Sequence, residues 1–308
     1  MSRSTFLKLF RTLLTLLILA LVILALMITF SDGKAIPTWQ MLYELVQGKP
    51  VIENADGDDY FKVIDVGEGD ALLFSSNGTN MLLDTGPSDH SAELKNRLRA
   101  YGIRKIDLLS FSHFDSDHTG GTSEISEAFS IDNLLLPQKI ILNENGKNVA
   151  DAWMKLQDSG GKEYLAVPGM TAKVGDFLFT VLFCDATQSE SNNRSMVLMA
   201  EIGDRRILLT GDAERTVEAE MVRQLKLSCD ILKVAHHGSD SSSSAQFLAA
   251  VSPENAVISC GAGNRYGHPD ESVLAALQDV GAAVYRTDTC GDVTFVFENN
   301  DYAVETER

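Results

Sequence analysis

Several things are scarce in this chain, and each scarcity narrows what it can be. It has four cysteines, Cys184, Cys229, Cys260 and Cys290, with no CxxC pair and none close in sequence to another. That excludes a zinc ribbon and a dense disulfide framework. They read as small buried hydrophobes, with room for one disulfide in an oxidising compartment. Basic residues are also few: 26 Lys and Arg against 43 Asp and Glu give a net charge of −17. Arg3, Lys8 and Arg11 stand in the first thirty residues, which hold no acid, so the rest carries −20. A broad basic groove for double-stranded nucleic acid is therefore not expected. A small anionic substrate stays open, because bound divalent cations reverse a local field. No internal repeat is present, and the serine run from Ser239 to Ser244 is the nearest thing to low complexity.

What is present begins with an apolar run, Leu13 to Phe30, free of charge. It is longer than a signal-peptide core and close to the ~20 residues of a spanning helix. All nearby positive charges precede it, and no good cleavage site follows. This predicts an uncleaved single-pass anchor over residues 1–31, with the N-terminus cytoplasmic and the remainder outside the cell. Residues 32–59 read as a stalk, and residues 60–308 as one large domain.

Within that domain, apolar strands at 61–66, 71–75 and 81–84 come first, with a hairpin signal at Asn77-Gly78. Strands and helices then alternate: a helix over 91–101 capped by Ser91, a strand over 106–112, and strands over 177–183, 195–201 and 206–210. A helix over 213–227, a strand over 230–235, a helix over 244–251, a strand over 256–260, a helix over 271–280 and a closing strand over 293–297 complete the pattern. The reading is an α/β fold of two mixed sheets with helices on their outer faces.

Histidine is rare, with six residues, and four of them fall in two tight groups at strand ends. The run His113-Phe114-Asp115-Ser116-Asp117-His118 follows a buried strand and precedes Gly120-Gly121. Two imidazoles and two carboxylates so close are costly to hold without a cation. The two glycines are expected to let the chain turn sharply and approach closely. Asp212 ends another apolar strand, and His236-His237 a third. Asn264 to Pro269 follows a fourth strand and contains Tyr266 and His268. Taken alone, Asp212 reads as a turn residue and His236-His237 as core histidines; together they suggest one sheet edge.

These residues resemble the metallo-β-lactamase superfamily, in particular the hydrolase domain of ComEC-type DNA-uptake proteins. The resemblance runs over Asp65-Val66-Gly67-Glu68-Gly69-Asp70-Ala71, Leu83-Asp84-Thr85-Gly86, the His113 to Gly121 loop, Asn192-Asn193-Arg194-Ser195, Leu209-Thr210-Gly211-Asp212, His236-His237-Gly238-Ser239 and Tyr266-Gly267-His268-Pro269. It implies a four-layer αββα sandwich, here behind one N-terminal transmembrane helix, with two divalent ions, Zn²⁺ or Mn²⁺. His113 and Asp115 would hold one ion, and Asp117 and His118 the other. Asp212 would bridge them, and either His236 or His237 would complete the second. Asp84 would orient a ligand, and Asn192 or Asn193 would stand where the superfamily has a further histidine; Asn193 is counted as a supporting residue. Asp115 replaces another common histidine, which leaves the first ion rich in oxygen and favourable to Mn²⁺.

By the same resemblance Asp117 would take a proton from a metal-activated water, and His268 would serve the leaving group. Ser239, Asn264 and Tyr266 would touch substrate. The implied activity is phosphodiester hydrolysis of a small or single-stranded substrate. A lactonase, thioesterase or β-lactamase, or a degenerate binding module, are the alternatives. ComEC-type proteins add a many-helix channel. One apolar segment offers no counterpart, so DNA transport is not expected. No signal bears on oligomeric state.

Overall fold

A computed structural model describes residues 15, 17–25, 27, 59–138 and 144–308. The chain divides into two compact units, 1–53 with 96–102, and 54–95 with 103–308. In the first, residues 15, 17–25 and 27 are helical. Among the described residues no helix is long and apolar enough to cross a membrane. The expected span over 13–30 lies partly outside the described residues, and the expected stalk lies outside them except for Asp59.

The second unit carries two sheets. The first runs in spatial order Asp301–Thr306 (β15), Val293–Glu298 (β14), Asp59–Val63 (β1), Leu72–Ser76 (β2), Thr79–Leu83 (β3), Lys105–Ser110 (β4), Ser130–Leu136 (β5) and Lys162–Leu165 (β6). The second runs Ala283–Arg286 (β13), Asn255–Ile258 (β12), Ile231–Lys233 (β11), Arg205–Leu209 (β10), Val197–Ile202 (β9), Phe177–Phe183 (β8) and Thr171–Val174 (β7). The α-helices are Ser91–Ala100 (α1), Ser116–Thr119 (α2), Thr122–Ala128 (α3), Glu144–Asp158 (α4), Arg215–Gln224 (α5), Ala245–Val251 (α6), Glu271–Asp279 (α7) and Thr287–Cys290 (α8).

Alternation along the strands builds the layers. On β9, Leu198, Ala200 and Ile202 face the core between the sheets, where Phe61, Phe74, Phe177 and Phe179 meet. Val197 and Met199 face the other way, onto Val217 and Met221 of α5, Phe247 and Leu248 of α6 and Leu277 of α7. A strand buried on both faces is apolar along its buried length, and β9 is so from Val197 to Ala200, with the half-buried Glu201 near its end. Phe61 stacks on Phe74 at 4.5 Å, and Phe74 meets Phe179 edge-on at 4.9 Å. Such pairs add roughly 0.5–1.5 kcal/mol each beyond their buried area.

The expected closing strand over 293–297 is followed by β15, which pairs antiparallel with it. Ser91 is the first residue of its helix rather than its cap; a 3₁₀ turn, Ser88–His90, precedes it, and Ser91 Oγ donates to Ser88 O at 2.8 Å. All four cysteines are free, Cys229 and Cys260 buried and Cys184 and Cys290 half-buried.

Candidate metal centre

Parallel strands place the site. Strands β3, β4 and β5 pair in parallel, as do β10, β11 and β12. Parallel strands end together, so the loops after β3, β4, β10, β11 and β12 gather at one end of the sandwich. Those loops carry Asp84, the His113–His118 run, Asp212, His236-His237 and Ser259.

The His113–His118 loop is fixed from both sides. Thr85 N donates to His118 O at 2.7 Å, and Asp70 N to Asp117 O at 3.2 Å. Gly120 and Gly121 lie in ordinary helical conformation, so the expected sharp turn is absent. Their purpose is close approach: a side chain would collide with Ser88 N at Gly120 and with Thr85 O at Gly121.

The side chains then converge. Around the first position, His113 Nε2 lies 3.7 Å from Asp115 Oδ2 and 3.8 Å from Asp212 Oδ2. Around the second, His118 Nε2 lies 3.3 Å from Asp212 Oδ1 and 3.7 Å from Asp117 Oδ2. His237 Nε2 lies 3.2 Å from Asp117 Oδ2 and 3.7 Å from Asp212 Oδ2. Asp212 thus faces both positions. The two histidines of the pair part company. His237 points into the cluster, whereas His236 Nδ1 meets Ser241 Oγ at 3.0 Å.

Two neighbours orient the imidazoles. Asp84 Oδ2 lies 2.9 Å from His118 Nδ1, while both Asp84 oxygens accept from Ser112, through its N and its Oγ, at 2.7 Å. His237 Nδ1 donates to Ser259 O at 3.1 Å, since a carbonyl can only accept. Both rings therefore turn Nε2 to the centre.

Charge follows geometry. Burial pushes Asp212 up, but His118, His237 and His113 hold it well below the usual carboxylate range. Burial likewise raises Asp117, and a hydrogen bond from His237 with the charge of His118 brings it well below. Asp115 is lowered mainly by the imidazole of His113 beside it. Burial would depress His118 and His237, yet the surrounding carboxylates, Asp212 foremost, lift both. Burial lowers His236.

These residues fit divalent cations. Asp117, His118, Asp212 and His237 each bring one donor atom within 4.8 Å of the others. His113 Nε2, His118 Nε2 and Asp212 Oδ1 are buried and make no hydrogen bond. A tetrahedral shell with bonds near 2.1 Å has its donors about 3.4 Å apart, and the spacings of 3.2 to 3.8 Å lie around that value.

Other expected residues take different places. His268 Nδ1 lies 3.2 Å from Glu68 Oε1, and its ring stacks between Tyr266 at 5.7 Å and His237 at 6.5 Å. Tyr266 is 57% exposed and lies under Arg265. Asn264 is spent on its own loop, accepting from Tyr266 N and His268 N and donating to Gly261 O and His268 O. Asn193 holds the start of α5: its Oδ1 accepts from Glu214 N, and its Nδ2 donates to Glu214 Oε2. Ser239 is buried against Ser241. Sequence reasoning gave no role to Glu68, Ser112, Ser191 or the pair Asp70–Lys233. Ser191 Oγ donates to Asp115 Oδ2 at 3.0 Å. The acids Glu68 and Asp70, in the glycine-containing loop 64–71, were the available signal.

Comparison with known proteins places this geometry. The chain is 30% identical over 257 residues to "ComE operon protein 3" of Bacillus subtilis, covering 77% of this chain and 33% of that one. It is 31% identical over 289 residues to "Competence protein ComA" of Neisseria gonorrhoeae, covering 92% and 38%. "Recombination protein 2" of Haemophilus influenzae is 31% identical over 250 residues, covering 80% and 30%. The chain thus spans about a third of the length of these relatives. Among solved structures, the metallo-beta-lactamase fold protein YhfI of Bacillus subtilis aligns with a TM-score of 0.55 at 13% identity, over 78% of this chain and all of that one. CmlA, a diiron beta-hydroxylase from Streptomyces venezuelae, aligns at 0.54 and 14% identity, over 77% and 54%. At such identities the likeness shows the fold alone. The family model for the Metallo-beta-lactamase superfamily matches residues 64–262 and takes in the whole cluster from His113 to His237, so the chain belongs to that superfamily, alongside the competence proteins it resembles.

Proposed function

We propose that this chain is a membrane-anchored, extracytoplasmic phosphodiesterase with two divalent ions, Zn²⁺ or Mn²⁺, acting on a small or single-stranded phosphodiester. The observation that carries the reading is the buried set of imidazole nitrogens and Asp212 oxygens that lack hydrogen bonds and face one another. The fold does not decide the reaction, since its neighbours include a hydroxylase. The donor set favours hydrolysis by oxygen-tolerant ions: three carboxylates, Asp115, Asp117 and Asp212, share the centre with three imidazoles. The names of two of the relatives, a competence protein and a recombination protein, support a nucleic-acid-like ester. The net charge of −17 argues for short or single strands over an extended duplex.

His113, Asp115 and Asp212 would hold one ion, and Asp117, His118, Asp212 and His237 the other. Bound there, divalent ions would acidify a water and stabilise negative charge developing on the phosphoryl oxygens. Asp117, one-third exposed, would orient a water beside such ions through the carboxylate oxygen that His237 does not hold. Glu68 holds Nδ1 of His268, which leaves Nε2 to face the leaving oxygen of a bound ester. The exposed Tyr266, stacked on His268, would stand beside the leaving group.

The test is a substrate panel on the full chain loaded with Mn²⁺ or Zn²⁺. Bis-p-nitrophenyl phosphate is expected to turn over, with a thioester, a lactone and nitrocefin slower. Chelation and Asp117→Ala are expected to cut the rate by at least about a hundredfold. Lactone turnover beside an inert phosphodiester would defeat the proposal.

A further inference from the structure

Behind the ligands lies a pair of buried charges that the proposed chemistry does not use. Lys233 ends β11 and is fully buried, and its Nζ lies 2.8 Å from Oδ2 of the equally buried Asp70. Asp70 comes from the loop joining β1 to β2, so the pair ties one sheet to the other at the end where the ligands gather. The other Asp70 oxygen lies 3.7 Å from Nδ1 of His237. Asp70, Asp84 and His118 also bring donor atoms within 4.8 Å of one another. The backbone of Asp70 is held in the same place: its N donates to Asp117 O, and its O accepts from Gly86 N at 2.7 Å.

A carboxylate here, left alone, would be a fourth anion close to the cations and free to turn toward them. An ammonium left alone would repel them. Water is excluded from both groups, so neither charge is screened as it would be at the surface. Five carboxylates, Asp70, Asp84, Asp115, Asp117 and Asp212, approach the imidazoles of this centre, and the Lys233 ammonium pairs with Asp70. Four negative charges remain, the number two divalent ions cancel.

We propose that Lys233 is a positioning residue: by cancelling Asp70 and fixing it behind His237, it sets the divalent-ion affinity of the centre. This rests on the reading that the cluster holds such ions. The sign of the effect separates it from simple structural support. Asp70→Asn leaves an uncancelled ammonium and is expected to weaken Mn²⁺ binding about tenfold or more. Lys233→Met leaves an uncancelled carboxylate and is expected to tighten it severalfold. The double variant, Asp70→Asn with Lys233→Met, is expected to return to within about threefold of the parent affinity.

Affinity is read on the metal-free full chain by competition with a chelating indicator, with Mn²⁺ alone as the probe and circular dichroism as the check on folding. Two single variants that both weaken binding, with a double weaker still, would overturn the assignment. If Lys233→Met does not fold, the comparison of Asp70→Asn with the double variant decides. Recovery in the double supports the assignment, and a double as weak as Asp70→Asn overturns it. A parent chain that takes up neither Mn²⁺ nor Zn²⁺ removes the metal centre itself, and this assignment with it.

Discussion

The histidine pair shows how much a single backbone turn decides. His236 and His237 both hold left-handed conformation, with φ of 50° and 54°. For residues with a Cβ this costs on the order of 1–3 kcal/mol each. What the turn achieves is a split: adjacent rings leave the chain toward different partners. His237 enters the cluster with 2% of its side chain exposed, while His236 reaches Ser241 and Asn192 with 23% exposed. The expected outcome follows. His237→Ala should lose one of two bound ions in elemental analysis after dialysis, while His236→Ala keeps both. Equal loss in the two variants would contradict the assigned ligand. No spacing rule could have chosen between them, because both are apt ligands and only the left-handed turn they share sends their rings to different partners.

Elements were legible where one face or both were apolar. Strand β8 was read from its first residue to its last because Phe177, Phe179, Val181 and Phe183 are buried along it. The strands ending at Asp84, Asp212 and His237 were read for the same reason, and with them the edge that carries the site. Strands β6, β7, β13 and β15 were missed because Lys162–Leu165 is exposed throughout and the others largely or partly so, edge strands carrying no apolar run to read, and β5 was missed because Ser130, Asp132 and Asn133 break its pattern. Lys233 was passed over as one residue of an apolar strand, although an unpaired lysine there is too costly to be incidental. Helix α5 holds a similar buried charge that yields a pH test. Glu218 is 1% exposed and accepts from Ser243 N and Ser244 N, binding the helix to the serine loop beside His236. Burial raises its pKa above the ordinary 4.5. A carboxyl raised in the folded state contributes stability that is fully present below the unfolded pKa and is lost as pH rises through the folded value. Glu218→Gln cannot titrate. The stability advantage of the parent over this variant should therefore shrink between about pH 4.5 and pH 7 in urea unfolding. An advantage that grows over that range would show that the two backbone donors outweigh burial.

At the scale of the whole molecule, two opposite surfaces must be reconciled: a chain of net charge −17 and a segment that exposes only oil. Leu17, Ile18, Leu19, Leu21, Val22, Ile23, Leu24 and Met27 are helical, and each is about half exposed, between 48% and 56%. Single exposed apolar residues need no explanation, but eight within eleven positions mark a surface meant for a non-aqueous neighbour. The uncharged run from Leu13 to Phe30 has 18 residues, close to the ~20 that a spanning helix needs. The anchoring proposal rests on that match and on the three basic residues that precede the run. The acidic remainder is repelled by anionic headgroups, so attachment has to come from the apolar run alone. That makes a sharp test. Leu21→Arg with Val22→Arg places two charges near the middle of the run, at roughly 2.5–3.5 kcal/mol each. The parent full chain should float with phosphatidylcholine vesicles in a density gradient. The double variant should stay at the bottom with its Mn²⁺-dependent hydrolysis intact, because neither substituted residue belongs to the catalytic unit. A double variant that still floats would locate membrane binding on some other surface and withdraw the N-terminal run as the anchor.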